Sequence, residues 1–526
     1  MAFGRWLNRC LHCMSTPWLL EARSSAWFVV VAVGVAVFNE SWLYAVVSPV
    51  YPTALRDRFG VKPEDVQNWV DWLFGIEAAG LMVSSPIFGY ISDRIAKRKR
   101  LLVWSTVVLL GAHAMQCFAR HMALLVLGRF LQGGCAGVVW CIGLALVADT
   151  AESNRVGQML GYASAPYSAA VALGPVLGGI IYEKAGYYAV FGLGFGLIGL
   201  QLVLLPLLIE EKDVKQQGQR NGSSDSELVS QVQVVEKPEV KKVPTTRSRK
   251  IETGVFSIPL GDDLHPTTSK ESTLSASQPS GDRWSTSSLL SSGRSIKRRI
   301  SKSPLWILIK SRRLQATCLA NIVTAMILAS FDVTLPLFAE EIFAWTPLGS
   351  GLLFLALAVP TVLQPLWGRL ADKYGTRFPV FTGLLLCVAP YACLRLVNHK
   401  SVAQVVTLCS LLFFIGLGAS LSLAATMADF SCVANEKERK SPGSMGKTGA
   451  LAQSYVLFNT SWGIGELVGS NIAGIMRQGN GWGIMGWCFA AICGAGAIIA
   501  LLWCEGWIVD NASRRQRERK EAYSSA

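Results

Sequence analysis

The chain has 526 residues, of which 51% are hydrophobic and only 16% charged, a balance too apolar for soluble domains of this length. Its formal charge of +14 would suit nucleic acid, but the basic residues gather in short connections between apolar stretches. A lipid bilayer, not nucleic acid, is therefore the expected surrounding.

A membrane-crossing helix needs about 20 mostly apolar residues. About twelve segments qualify, at residues 26–48, 70–91, 101–118, 122–147, 158–182, 187–209, 315–339, 350–371, 379–396, 402–428, 449–475 and 483–507. Before the first span, residues 1–24 hold no apolar run suited to a cleaved signal peptide, so span one is expected to direct insertion. Cys10 and Cys13 in this segment are spaced like metal ligands but lack a second pair, so no metal is expected there. The cysteines elsewhere lie mostly within spans, as small hydrophobic residues rather than a disulfide framework.

Span one carries Glu40 inside Asn39-Glu40-Ser41-Trp42, followed by Tyr44 and Pro49-Val50-Tyr51-Pro52. Span two carries Glu77 and closes on Pro86-Ile87-Phe88-Gly89-Tyr90-Ile91-Ser92-Asp93-Arg94, with Lys97, Arg98, Lys99 and Arg100 just beyond. His113 lies in span three and is expected to pack rather than carry protons. Span four contains Arg129-Phe130-Leu131-Gln132-Gly133 and ends near Asp149; span five contains Gly174-Pro175-Val176-Leu177-Gly178-Gly179, then Tyr182-Glu183-Lys184-Ala185-Gly186.

After span six, residues 210–304 turn rich in Ser, Thr, Pro, Gln, Lys and Arg. Such a segment buries too little apolar surface to offset its ordering entropy and is expected to be a disordered linker. Lys297-Arg298-Arg299-Ile300-Ser301 within it suits a basic-directed kinase or an anionic membrane surface.

Span seven then carries Phe331 and Asp332. Span eight closes on Pro365-Leu366-Trp367-Gly368-Arg369-Leu370-Ala371-Asp372-Lys373, followed by Arg377. This repeats the end of span two with Pro, Gly, Asp and the final Arg in register, so the chain reads as two related halves of a carrier. Asp429 ends span ten at the place equivalent to Asp149, and span eleven carries Asn459, Trp462 and Glu466.

Basic residues concentrate after spans two, eight and ten and in the tail at Arg514, Arg515, Arg517, Arg519 and Lys520. Arg56, Arg58 and Lys62 run against that bias, but its overall sense places both termini in the cytoplasm. Of the glycosylation sequons, those at Asn221 and Asn511 then fall on the cytoplasmic side and those at Asn39 and Asn459 inside spans, so none is expected to carry a glycan.

A charge at the bilayer centre costs about 2.5–3.5 kcal/mol even on the mild insertion scale. Glu40, Glu77, Asp332 and Glu466 should therefore face a cavity, pair, hold a proton, or, where near a span end, snorkel to water. An acid in such a cavity can exchange a proton for a cation, because an approaching positive charge favours the carboxylate. Trp42, Tyr44, Phe331 and Trp462 lie near these acids, where they either pack or offer cation–π contact. The acid-and-base turns at Gly89, Asp93, Arg94 and Arg98 and at Gly368, Asp372 and Arg377, with Asp149 and Asp429 as partners, suit latches whose pairing differs between two orientations of the halves.

These two turns resemble the cytoplasmic signature of the major facilitator superfamily, which implies an all-α membrane protein of two pseudo-symmetric six-helix bundles. Arg129 to Gly133 resembles the element that family links to proton coupling. Gly174, Pro175, Gly178 and Gly179 resemble the antiporter signature of its drug:proton branch. The span-one segment and Tyr182 to Gly186 look like the vesicular amine transporters and their fungal relatives, where an acid matching Glu40 helps recognise a cationic amine. The chain departs from the neurotransmitter carriers in having Glu77 where they carry a lysine, Asn459 where they carry an aspartate, and no acid in the middle of span ten.

The expected layout is a cytoplasmic segment 1–24, a bundle 25–209, the linker 210–304, a second bundle 305–508 and a basic tail 509–526. The expected function is that of a monomeric proton-coupled antiporter, without cofactor, exporting a small organic molecule such as a drug, amine or secondary metabolite. The expected site lies between spans one, two, four, five, seven and eleven, and the plasma membrane is favoured over an acidic organelle. The rivals are a nutrient uptake carrier, disfavoured because Leu208-Ile209-Glu210-Glu211-Lys212 lacks the sugar-porter Pro-Glu-Ser-Pro element, and a non-transporting receptor or scaffold. An enzyme is not expected, since no nucleophile constellation appears.

Overall fold

The computed structural model describes residues 25–94, 98–150, 156–208, 308–440 and 449–504, and every regular element among them is helical. The segment 1–24, the linker, the basic tail, and the side chains of Asp93, Arg94 and Asp372 lie outside the described residues. The first half contains α1 (Ala26–Ala45), α2 (Val66–Arg94), α3 (Arg98–Cys117), α4 (Met122–Val138), α5 (Pro166–Ala185) and α6 (Tyr187–Leu207). The second contains α7 (Arg312–Phe343), α8 (Pro347–Ala358), α9 (Arg377–Cys393), α10 (Val402–Lys440), α11 (Gly449–Asn480) and α12 (Trp482–Trp503).

Eleven of the described helical stretches are long and apolar enough to cross a membrane. The stretch that misses this criterion is α11, a helix of 32 residues. It is less apolar because Asn459, Ser461, Glu466 and Ser470 stud it, and all four are buried. Such a helix belongs against protein or a cavity rather than lipid.

Local chemistry sets the breaks between helices. The Ser25 hydroxyl accepts the Phe28 N–H at 3.2 Å and starts α1. Gly186 and Gly481 have φ of +79° and +85°, a left-handed region that glycine enters without a Cβ penalty, so α5 and α11 stop there and the next helix starts at once. Two spans change pitch rather than stop. The α4 span runs through a π turn at Val139–Gly143 into Leu144–Thr150, and the α8 span through a 3₁₀ turn at Val359–Leu363 into Gln364–Tyr374. Both irregular turns supply residues that line the central cavity, in keeping with the habit of π turns to occur at functional sites.

In lipid the hydrophobic effect gives helices no reason to associate, so close van der Waals packing over small residues does that work. Within the first half, a Cβ on Gly80 would meet the Phe130 carbonyl and one on Gly133 the Glu77 carbonyl, which brings α2 and α4 together. Two seams join the halves. Along α2 and α11, Gly89 abuts Val456, Gly463 abuts Met82 and Gly75 abuts Asn471. Along α5 and α8, Gly179 abuts the Pro347 backbone and Gly351 the Pro175 backbone. Span two is the repeat of span eight and span five sits six before span eleven, so the seams are equivalent by the internal repeat.

Candidate functional site

Between these seams lies a cavity of about 130 Å³ lined from both halves. Glu40 and Tyr44 from α1 and Glu77 from α2 face Asp332 from α7 and Asn459 and Glu466 from α11 across it. The four acids therefore share one space. Glu40, Glu77 and Glu466 do not snorkel to a span end, being 3%, 5% and 7% exposed, and Asp332 is half-buried.

The acids differ in their partners. Glu77 is held by Arg129 from α4, whose Nη2 lies 2.7 Å from its Oε2. The Arg129 guanidinium is wholly buried, donates to Gln132 Oε1 at 3.3 Å and to the Leu73 carbonyl at 3.4 Å, and lies 4.9 Å from the centre of the Phe74 ring. Gln132 is fixed in turn by Gln116 at 2.7 Å, which accepts from the Tyr51 hydroxyl at 3.0 Å. Asp332 accepts the Tyr44 hydroxyl at 2.9 Å. Glu40 has no hydrogen-bond partner for either oxygen among the described residues. Four carboxyl groups and one guanidinium thus share the lining, and in this low-dielectric setting whichever acid is ionised attracts an entering cation strongly.

Other sequence candidates divide between cavity and packing. Tyr44 and Trp462 line the cavity, and so do Trp140 and Tyr167, which no local pattern announces because their facing depends on the π turn and the rotation of α5. Trp42 is buried against Phe38, with ring centres 5.8 Å apart. Phe331 stacks on Tyr391 at 5.3 Å. His113 packs between α3 and α6, its Nε2 at 2.9 Å from the Phe191 carbonyl and its ring edge-on to Phe195. Asn459 lies 3.1 Å from Cys141 Sγ, linking α11 to the π turn.

The repeated turns take different arrangements. In the first half the buried Arg98 pairs with Asp149 at 3.0 Å, and Gly89 meets the other half. In the second half Asp429 pairs with Arg313 and accepts from Thr317 and, at 2.8 Å, from Thr376. Arg377 donates to the Cys504 carbonyl at 2.6 Å, and a Cβ on Gly368 would meet nothing within 4 Å.

The sequence matches the Major Facilitator Superfamily over residues 33–441 and again over 317–525. The chain belongs to this superfamily. It is 28% identical to the MFS-type transporter ppzB of Metarhizium rileyi over 499 residues, 93% of this chain and 96% of that one. It is 31% identical to the probable vesicular acetylcholine transporter-B of Danio rerio over 173 residues, 32% of this chain and 35% of that one. It is 29% identical to the class B tetracycline resistance protein of Escherichia coli over 140 residues, 26% of this chain and 33% of that one. As a member of the superfamily the chain is a multi-pass membrane transporter of small molecules.

Within this major facilitator fold the Gly-Pro element of α5 sits where α1, α5 and α8 converge. Cβ atoms on Gly174 and Gly178 would strike Ala45 and Val46 of the first half, whereas Gly179 and Pro175 meet α8 of the second. The element is thus a three-helix packing point at a seam between the halves, and small residues there let the halves approach.

Proposed function

We propose that this transporter is a proton-coupled antiporter that exports a small cationic organic molecule by alternating access. The observation that carries the reading is Glu40: a buried carboxyl without a hydrogen-bond partner among the described residues, in a carboxyl-rich cavity that both halves share. A bound cation would satisfy it, with Tyr44, Trp140, Tyr167 and Trp462 offering ring faces. A proton would satisfy it as well. Because proton and cation compete for one group in a cavity whose two walls belong to different halves, each biases the same conformational equilibrium.

The antiporter-like glycines at the α5 seam support exchange over one-way uptake. The basic residues after spans two, eight and ten support cytoplasmic termini, and export of an organic cation suits the plasma membrane. The turns around Asp93 and Asp372 act as latches in this reading, with Arg98–Asp149 one of their pairs.

Flux into proteoliposomes tests it. Wild-type protein should take up a hydrophobic tertiary amine when the lumen is acid, and should not take up its neutral isostere. Glu40→Gln keeps a polar side chain but removes the charge, and a hydrogen bond to a charged group is worth about 1.5–3 kcal/mol. Amine affinity should therefore fall about ten- to a hundredfold, and the dependence of uptake on lumenal pH should flatten. Unchanged affinity and an unchanged pH response would make Glu40 structural and move coupling to Asp332, Glu77 or Arg129.

A further inference from the structure

A set of polar contacts joins the halves at the end of the cavity that bears the α1–α2, α7–α8 and α11–α12 connections. Nearest the cavity, the Ser48 hydroxyl donates to the Asp332 carbonyl at 2.7 Å and Gln67 Nε2 to the Val333 carbonyl at 3.1 Å. One layer farther out, Arg477 from α11 donates to Gln67 Oε1 at 2.7 Å and pairs with Glu341 from α7 at 2.6 Å. Gln478 donates to the Glu64 carbonyl at 3.0 Å, and Arg56 pairs with Glu340.

Asp71 lies at the heart of this layer. It is 4% exposed and accepts from Gln67 Nε2 at 2.6 Å. Its carboxylate lies so close to the α-carbon of Gly474 that any Cβ there would collide with it. A carboxyl side chain of the first half is thus pressed against bare backbone of the second, beside the buried shaft of Arg477, whose side chain is 11% exposed.

We propose that Arg477, Gln67, Asp71 and Gly474 form a clasp that closes this end of the cavity and parts whenever the cavity opens there. The proposal rests on alternating access and adds residues that the repeated turns at the opposite end do not include. The chemistry suits reversible closure. Glu341 is 67% exposed, and an ion pair so open to water holds weakly. The Gln67 amide bridges the Arg477 guanidinium and the Asp71 carboxyl, so both groups are polar and hydrogen-bonded in the closed layer. Opening lets water solvate both, which offsets the lost contacts, whereas an apolar seal would leave bare surface. Gly474 supplies the close approach and the fit that makes closure specific.

The test is hydrogen–deuterium exchange of the full-length protein in nanodiscs, read separately at the two ends of the cavity. Arg477→Gln should speed exchange at least about threefold in the segments around Gln67–Asp71 and Gly474–Gln478, and leave segments around Arg98 and Asp149 unchanged. Gly474→Ala should act in the same direction, because the added Cβ forces Asp71 out of its place. Wild-type exchange at the clasp in both variants would overturn the proposal. So would an equal rise at both ends, which marks general loosening rather than a gate. Neither readout depends on the substrate or on protons, so failure of the clasp leaves the antiport reading standing, and failure of antiport leaves the clasp standing.

Discussion

Arg129→Gln is expected to cost about 3–5 kcal/mol of stability, the largest loss from any single change of a polar residue around the cavity. Removing one member of a buried ion pair leaves its partner charged and uncompensated, and that penalty exceeds the net value of the pair itself. Glu77 would be the stranded partner, since its carboxylate lies 2.7 Å from the guanidinium and its side chain is only 7% exposed. Adding Glu77→Gln should recover much of the loss, because two amides in contact carry no net charge into the apolar setting. Thermal unfolding of the four proteins, wild type, both single variants and the double, gives the coupling directly. If the losses simply add, Arg129 and Glu77 are neighbours without being energetic partners, and the Gln132–Gln116–Tyr51 chain would be what holds the arginine.

The acids illustrate what a sequence can disclose about such a cavity. A carboxylate in an apolar span has few stable situations, so Glu40, Glu77, Asp332 and Glu466 stand out from the amino-acid sequence by themselves. The spans are legible for the same reason, since length and apolarity are local properties, and the repeat at Gly89 and Gly368 reveals two halves. The partners are not legible. Whether Tyr44 reaches Asp332, or Arg477 reaches Gln67, depends on which faces of distant helices meet across the two halves, and no local pattern encodes that. Asp71 escapes the rule that exposes the other four, because it lies at the very start of span two, where an acid is expected to reach water. Arg477, at the end of a helix, reads locally as an ordinary interfacial base. The repeat likewise conceals a difference: Gly89 is a contact between halves and Gly368 is not, although their sequence settings are nearly the same. The eleventh span shows the converse, a helix whose polar residues lower its apolarity because it lines the site.

Gly133→Ala and Gly134→Ala, one residue apart on α4, are expected to change stability in opposite directions. A Cβ on Gly133 would press into the Glu77 backbone carbonyl and lie 2.9 Å from Glu77 Cγ, whereas one on Gly134 would meet nothing within 4 Å. Backbone cannot swing aside as the tip of a long side chain can, so α4 must move away from α2. Overpacking of this kind costs about 1–3 kcal/mol, and occasionally more. At Gly134 the gain from replacing glycine in a helix, about 0.5–1 kcal/mol, is unopposed. The two variants should therefore differ by at least about 1.5 kcal/mol in thermal or denaturant unfolding. The displacement should also reach function, since Gly133 sits one turn beyond Arg129 and the movement that relieves the clash also widens the Arg129–Glu77 pair. Gly133→Ala should then lose proton-driven flux beyond what its lower stability explains, while Gly134→Ala transports normally. Equal melting temperatures for the two variants would show that α2 and α4 yield freely at this point, and the close approach of the helices would no longer account for the placement of Glu77 against Arg129.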